Sequence, residues 1–253
     1  MKLKNKVAVI TGGNSGIGFG IAQEFKREGA KGAIVGRDQE KINSSIKELG
    51  SDFIGISADV TQLDELDNMY RKVNDKFGKL DILVLSAGGA VGPGTLGSVA
   101  DTTEEAYDKM MRLNLKSIFF SVQKALPYLT DGSSIILVAS IAAQKTFDGM
   151  TVYGAAKAGI RSFAKSFSAD LLHRRIKVNA LSPGTIETPV FGRMGIPVEI
   201  ANQAKAQFED LIPLKRIGHP REMGRVAVFL ASDDSSFVLG EEIVADGGVV
   251  NLK

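Results

Sequence analysis

Short β-branched apolar runs alternate with longer amphipathic segments from one end of the chain to the other, and this alternation restricts the fold more than any other feature. The runs are "VAVI" (7–10), "GAIV" (32–35), "FIGIS" (53–57), "DILVLS" (81–86), "SSIILVAS" (133–140), "IKVNALS" (176–182) and "EEIVAD" (241–246). They are largely apolar rather than alternating apolar with polar, the pattern of strands whose two faces are both covered. Between them, residues 15–28, 39–49, 62–77, 103–127, 151–173 and 220–231 carry helical spacing, with Asp38 and Thr61 as expected N-caps. Strand and helix in succession predict an α/β fold, a doubly wound parallel sheet of seven strands with helices on both faces. No linker, internal repeat or charge block divides the chain, so one domain is expected over residues 1–253. Residues 183–219, rich in Pro and Gly, are the irregular part. Such an excursion beyond the carboxyl end of a strand is where a substrate lid is expected, at about 186–215.

The bulk properties exclude several kinds of partner. With 31 basic and 29 acidic side chains the formal charge is +2, and the basic residues are scattered, so neither nucleic acid nor an anionic membrane is expected. The chain has no cysteine, which removes disulfides, thiol nucleophiles and cysteine-ligated zinc together. Nothing pairs the two histidines, His173 and His219, as ligands, and no metal is expected. The basic start "MKLKNK" precedes only "VAVI", too short an apolar run for a secretory signal, and "IILVASIAA" (135–143) is too short to span a bilayer. A cytoplasmic protein is expected.

"VAVITGGNSGIGFGIAQEF" passes from a strand through a glycine loop into a helix. Gly12, Gly16 and Gly18 allow a tight turn and a close backbone approach to a pyrophosphate, which the N–H groups opening the helix would bind. The spacing G-x-x-x-G-x-G differs from the usual G-x-G-x-x-G of dinucleotide sites. After the second strand comes "IVGRDQEK", where an acidic residue can hold the ribose 2′-hydroxyl of NAD or an arginine can accommodate the 2′-phosphate of NADP. Arg37 offers forked hydrogen bonds to a phosphate and a planar face for adenine, which favours NADP(H), with NAD(H) still possible. Asp38 is read as the cap of the next helix rather than as a ribose ligand.

"TVYGAAKAGI" (151–160) sets Tyr153 and Lys157 one helical turn apart, so that an ammonium lies beside a phenol. A neighbouring cation favours the phenolate and is expected to lower the tyrosine pKa from its ordinary value of about 10. Upstream, one strand run ends in Ser140, and Asn114, an indifferent helix former, sits inside a long helical segment.

Together these features resemble one family, the short-chain dehydrogenases/reductases, whose fold is of the Rossmann type. The match includes T-G-x-x-x-G-x-G at Thr11 to Gly18, Asp59-Val60 after the third strand, Ala87-Gly88, Asn114, Ser140, Tyr153, Lys157, "PGTIET" (183–188) and "DGG" (246–248). It spans essentially the whole chain, in order. The resemblance implies an oxidoreductase that moves a hydride between a nicotinamide cofactor and a ketone or secondary alcohol. Tyr153 would be the general acid in reduction and the base in oxidation. Lys157 would hold the nicotinamide ribose and lower the phenol pKa, Ser140 would orient the carbonyl oxygen, and Asn114 would fix a water continuing the proton relay from Lys157 to solvent. The resemblance adds Asn14, Ser15 and Ile17 to the glycine loop's contacts. It places Asp59 on the adenine amino group, Val60 on its flank, and the backbone of Ala87 and Gly88 along the ribose. Pro183, Gly184, Ile186 and Thr188 would cradle the nicotinamide, with Thr188 bonding its carboxamide. Relatives commonly form tetramers through the helices corresponding to 103–127 and 151–173 and the C-terminal strand, so a homotetramer is expected.

Two departures bear on the substrate. Many relatives carry Asn-Asn-Ala-Gly where this chain has Leu85-Ser86-Ala87-Gly88. Acyl-carrier-protein reductases of the family usually have an arginine in the loop that here reads "TDGSS"; Asp131 there would repel an acidic carrier, although Arg174 is expected to remain available. Ala90, Val91, Ile141, Ala142, Phe147, Met150, Val190 and Phe191 are expected to line the substrate pocket, and these mostly apolar side chains favour an apolar ketone over a 3-oxoacyl thioester. A non-catalytic nucleotide sensor, or redox-assisted epimerisation or dehydration on the same scaffold, are the readings of other kinds.

Overall fold

A computed structural model describes residues 1–90, 96–188, 206 and 209–252. Its sheet contains β1 (Val7–Thr11), β2 (Lys31–Gly36), β3 (Phe53–Ser57), β4 (Leu80–Leu85), β5 (Leu129–Val138), β6 (Lys177–Pro183) and β7 (Glu242–Ala245). The strands lie in the order β3-β2-β1-β4-β5-β6-β7, and every neighbouring pair is parallel. The expected doubly wound sheet is borne out.

The reason for the apolar runs is visible strand by strand. In β1, Val7 and Val9 enter one core with Leu66, Tyr70 and Ile160, while Ala8 and Ile10 enter the other with Ile21, Phe25 and Leu230. Both sets are buried because helices cover both faces. Full burial of a side chain such as Ile10 contributes about 1.5–3 kcal/mol.

The covering helices are α1 (Gly16–Arg27), α2 (Gln39–Leu49), α3 (Leu63–Phe77), α4 (Glu104–Met111), α5 (Ser117–Ala125), α6 (Thr151–Asp170) and α7 (Pro220–Ala231). Asp38 caps α2 as expected, its Oδ1 accepting from Lys41 N at 3.1 Å. Thr61 does not cap α3. Asp59 Oδ1 accepts from Thr61 N at 2.9 Å and folds the chain into an Asx turn, which moves the cap on to Gln62.

The single helix expected over 103–127 is three pieces: α4, a π-turn at Arg112–Lys116, and α5. The 151–173 segment ends its α-helix at Asp170 and continues as a 3₁₀ turn, Leu172–Arg174, which holds His173. His219 caps α7, its Nδ1 accepting from Arg221 N at 3.2 Å. Both histidines are therefore helix-end residues. The expected lid falls mostly outside the described residues; of its neighbourhood, Ile186 forms a parallel bridge with Gly218.

Candidate active site

The chain reverses its direction of strand addition between β1 and β4, and a crevice beyond the carboxyl ends of the strands follows from that topology. A cavity of about 330 Å³ lies there.

At one end is the glycine loop. Gly12 holds φ at +67°, and a Cβ on Gly18 would come within 2.3 Å of the Gly12 carbonyl oxygen. Only glycines permit so tight a loop. Its result is that Ser15, in extended conformation as N-cap, starts α1 directly at the cavity, so the helix's first N–H groups and its positive end face the space. Gly12, Asn14, Ser15, Gly16, Ile17 and Gly18 all line it.

Farther along the wall, Arg37 lies exposed at the cavity, and among the described residues it makes no ion pair. The carboxylate of Asp38 is engaged with the amide and ammonium of Lys41, which hold its pKa below the ordinary value. Asp59 and the buried Val60 also line the cavity. The Ser86 and Ala87 amides donate to Thr11 Oγ1 at 3.1 and 3.2 Å, so a β1 hydroxyl anchors the segment where relatives carry asparagines. Ala87 and Gly88 line the middle of the cavity.

Tyr153 and Lys157 on α6 also line the cavity, as does Thr188. The Lys157 side chain is 5% exposed, and its Nζ donates to the Val138 carbonyl at the end of β5, 3.0 Å away. Burial lowers its pKa to about 8. The ammonium lies 5.6 Å from the centre of the Tyr153 ring. The helical pairing is as expected, but its expected effect is not. Burial pushes the Tyr153 phenol up, opposed by a hydrogen bond with Ser140, so from the protein's own groups the shift is upward. The cation that was to lower it is turned to a carbonyl instead.

Ser140 lies beyond the end of β5, where its Oγ caps a short 3₁₀ turn (Ile141–Ala143) by accepting from Ala142 N at 3.2 Å. Asn114 is 1% exposed within the π-turn. Its Oδ1 accepts from Gly89 N at 2.8 Å, and its Nδ2 donates to Gly89 O and Met110 O, each at 3.1 Å. A π-turn widens the helix by one residue and is common at functional sites. Here it sets an asparagine against the β4 loop. The small residues between Tyr153 and Lys157 have separate reasons: a Cβ on Gly154 would come within 2.9 Å of the Ala142 carbonyl, Ala156 is fully buried, and Ala155 faces solvent.

Ser140 and Asn114 are not among the residues that line this cavity, nor are Pro183, Gly184 and Ile186. Pro183 ends β6, Gly184 N donates to Ala245 O at 3.0 Å, and Ile186 is buried. Of the expected substrate-lining residues, Val91, Val190 and Phe191 lie outside the described residues. Ile141 and Phe147 pack instead with Ile212, Ile217 and Val249 in a small apolar cluster, and Ala90, Ala142 and Met150 are not on the cavity. The sequence reading missed Val35, Gly36, Ala58, Ser86, Gly89, Leu113, Val138 and Ala139, which line it. Most sit at or just past the ends of β2 to β5, the signal that could have found them.

The comparisons agree with this geometry. Residues 12–250 match the profile of a family described as Enoyl-(Acyl carrier protein) reductase. Oxidoreductase asL5 of Sarocladium schorii is 39% identical, covering 99% of this chain and 98% of its own. The chain belongs to the short-chain dehydrogenase/reductase family. Hydroxynaphthalene reductase-like protein Arp2 of Metarhizium brunneum is 35% identical over 98% of this chain and 96% of its own. Among solved structures, a short-chain dehydrogenase/reductase of unknown function from Caenorhabditis elegans, solved with cofactor, superimposes with a TM-score of 0.92 at 32% identity, covering 98% of this chain and 96% of that one. One from Serratia marcescens gives 0.88 at 29% identity, over 99% and 100%. Within this short-chain dehydrogenase/reductase, Arg174 is not the free cation expected: its Nε donates to Asp131 at 2.9 Å, and its other nitrogens donate to the Leu126 and Leu129 carbonyls.

Proposed function

We propose that this short-chain dehydrogenase/reductase reduces apolar ketones to secondary alcohols with NADP(H). The observation that carries the reading is one cavity with a helix N-terminus at one end and a phenol with a buried ammonium at the other. The residues fit a dinucleotide: a glycine loop no side chain could fill, an exposed arginine beside it, and a buried lysine bonded to one main-chain carbonyl. When bound, the nicotinamide supplies the hydride. Arg37, the positive group near the second strand's end, favours a 2′-phosphate and so NADP over NAD.

Tyr153 is the proton donor. A phenol that burial keeps protonated suits that role, because negative charge grows on the carbonyl oxygen as its carbon is reduced. Ser140, whose hydroxyl opposes the rise of the Tyr153 pKa, orients the same oxygen. Lys157 holds the ribose hydroxyls and delivers the replacement proton, and Asn114 fixes the water through which that proton arrives. Gly12 to Gly18 bind the pyrophosphate, Asp59 and Val60 the adenine, and Pro183, Gly184, Ile186 and Thr188 the nicotinamide.

The hydroxynaphthalene reductase-like relatives support fused-ring phenolic ketones as the first compounds to try. A 3-oxoacyl thioester is the lesser alternative, since Asp131 occupies Arg174. We place the chain in the cytoplasm as one domain; among the described residues no helix is long and apolar enough to cross a membrane. A homotetramer would cover Phe119, Leu172 and Phe237, which are 39%, 58% and 102% exposed. Initial rates of NADPH and NADH oxidation with fused-ring and aliphatic ketones test the reading. Stoichiometric carbinol is expected, with NADPH preferred; binding of both nucleotides with consumption of neither would overturn it.

A further inference from the structure

Reduction as proposed needs Ser140 to meet Tyr153, yet the two stand on different elements. About two turns along α6 from Tyr153, Arg161 reaches the turn that Ser140 caps: its Nη1 donates to the Ala143 carbonyl at 3.2 Å. The same guanidinium lies in ionic contact with Oε2 of Glu242, the first residue of β7, although its Nε–H makes no directed hydrogen bond there. Glu242, whose side chain is 12% exposed, accepts through Oε1 from Ser182 Oγ at 2.5 Å. Ser182 is fully buried and directly precedes Pro183. One guanidinium thus joins the Ser140 turn to the β6 end that leads into Pro183 and Gly184.

The chemistry of the pair matches that task. The planar guanidinium holds the Ala143 carbonyl in a fixed direction through Nη1 while its delocalised charge stays beside the carboxylate, a combination that an ammonium provides less well. The pair is only half withdrawn from water, the Arg161 side chain being 37% exposed, so it adds little net stability. Losing Arg161 would leave the more buried Glu242 carboxylate without its counter-charge. Its use lies in geometry.

We infer that Arg161 and Glu242 are positioning residues, which lock the Ser140 turn and the Pro183–Gly184 strand end to α6 on either side of Tyr153. The consequence for turnover rests on the reductase reading; the mechanical link does not. The test compares Arg161→Met, Arg161→Lys and Glu242→Gln in the full chain, by steady-state kinetics with NADPH and ketone and by hydrogen exchange of a peptide covering 139–147. Arg161→Met is expected to lower kcat about tenfold or more, because a small misplacement of reacting groups is costly, while KM for NADPH stays within about twofold. Exchange in 139–147 speeds up, protection in 7–20 is kept, and Arg161→Lys recovers part of kcat. The Arg161→Met/Glu242→Gln double variant is expected to fall no lower than the worse single one. If Arg161→Met does not fold, the near-isosteric Glu242→Gln carries the same two readouts. Lowered thermal stability with unchanged kcat per folded molecule would show a merely structural pair and overturn the inference. Should the wild type turn over no ketone, the reductase reading fails alone; exchange in 139–147 then decides, and unchanged protection in Arg161→Met overturns the link.

Discussion

At the glycine-loop end the cavity is faced by main chain, the Gly12 to Gly18 loop and the first N–H groups of α1, whereas at the Tyr153 end it is served by side chains from separate elements. The first is determined within one continuous stretch of sequence. The second exists only when the sheet brings the β5 end, the π-turn and α6 together, and its side chains are held by other elements: Lys157 by the Val138 carbonyl and Asn114 by Gly89. The difference implies that changes at the loop act by steric exclusion on binding, while changes at the far end act on chemistry and spare binding.

The strongest attempt to break this division is Tyr153→Phe, which removes one oxygen. Ketone turnover is expected to fall about 10³-fold while the NADPH dissociation constant, read by calorimetric titration, stays within about twofold. A large loss of nucleotide affinity would mean that the two ends are not separable.

Next in size is the cost of the buried ammonium. Burial lowers the Lys157 pKa from 10.5 to about 8, so the folded state gives up this proton before the unfolded state does. The penalty is fully present below about pH 8 and fades as pH rises toward the unfolded value, so stability increases with pH across that window, by about 3 kcal/mol. Denaturant unfolding at pH 7.5 and 10 is expected to show this gain relative to Lys157→Met; parallel behaviour of the two proteins would refute it.

Gly18→Ala probes the other end. Its Cβ would meet the Gly12 carbonyl, and the displaced loop is expected to lose about 1–3 kcal/mol in stability, with weakened nucleotide binding but preserved kcat at saturation. Thermal melting and nucleotide titration check this together. The smallest effect sharpens the exception at the glycine-loop end, its cationic side chain at the cavity: Arg37→Ala is expected to reduce the NADPH to NADH ratio in kcat/KM about tenfold, the scale of a charge-assisted hydrogen bond. An unchanged ratio would remove Arg37 from cofactor choice.

This division also explains what the chain disclosed before its structure was known. Strands such as Val7–Thr11 were legible because both their faces are covered, and the glycine loop because its geometry is local. Thr61 misled because the neighbouring Asp59 competes for its amide, a choice between two local bonds that spacing does not reveal. The π-turn was hidden: Arg112–Lys116 reads as ordinary helix, and the turn is matched by bonds from Asn114 to Gly89, far away in sequence. The direction of the Tyr153 shift was misjudged for the same reason. An i, i+4 cation is visible in sequence, but burial and the competing Val138 carbonyl belong to the tertiary structure.

The central claim, that one cavity joins nucleotide binding to reduction of a carbonyl, is tested most directly by deuterium transfer from C4-deuterated NADPH to the product. The account predicts deuterium on the carbinol carbon, from one face of the nicotinamide only, and transfer almost abolished in Tyr153→Phe. Deuterium retained in the nucleotide while the substrate is epimerised or dehydrated, or undiminished transfer in the phenylalanine variant, would contradict it.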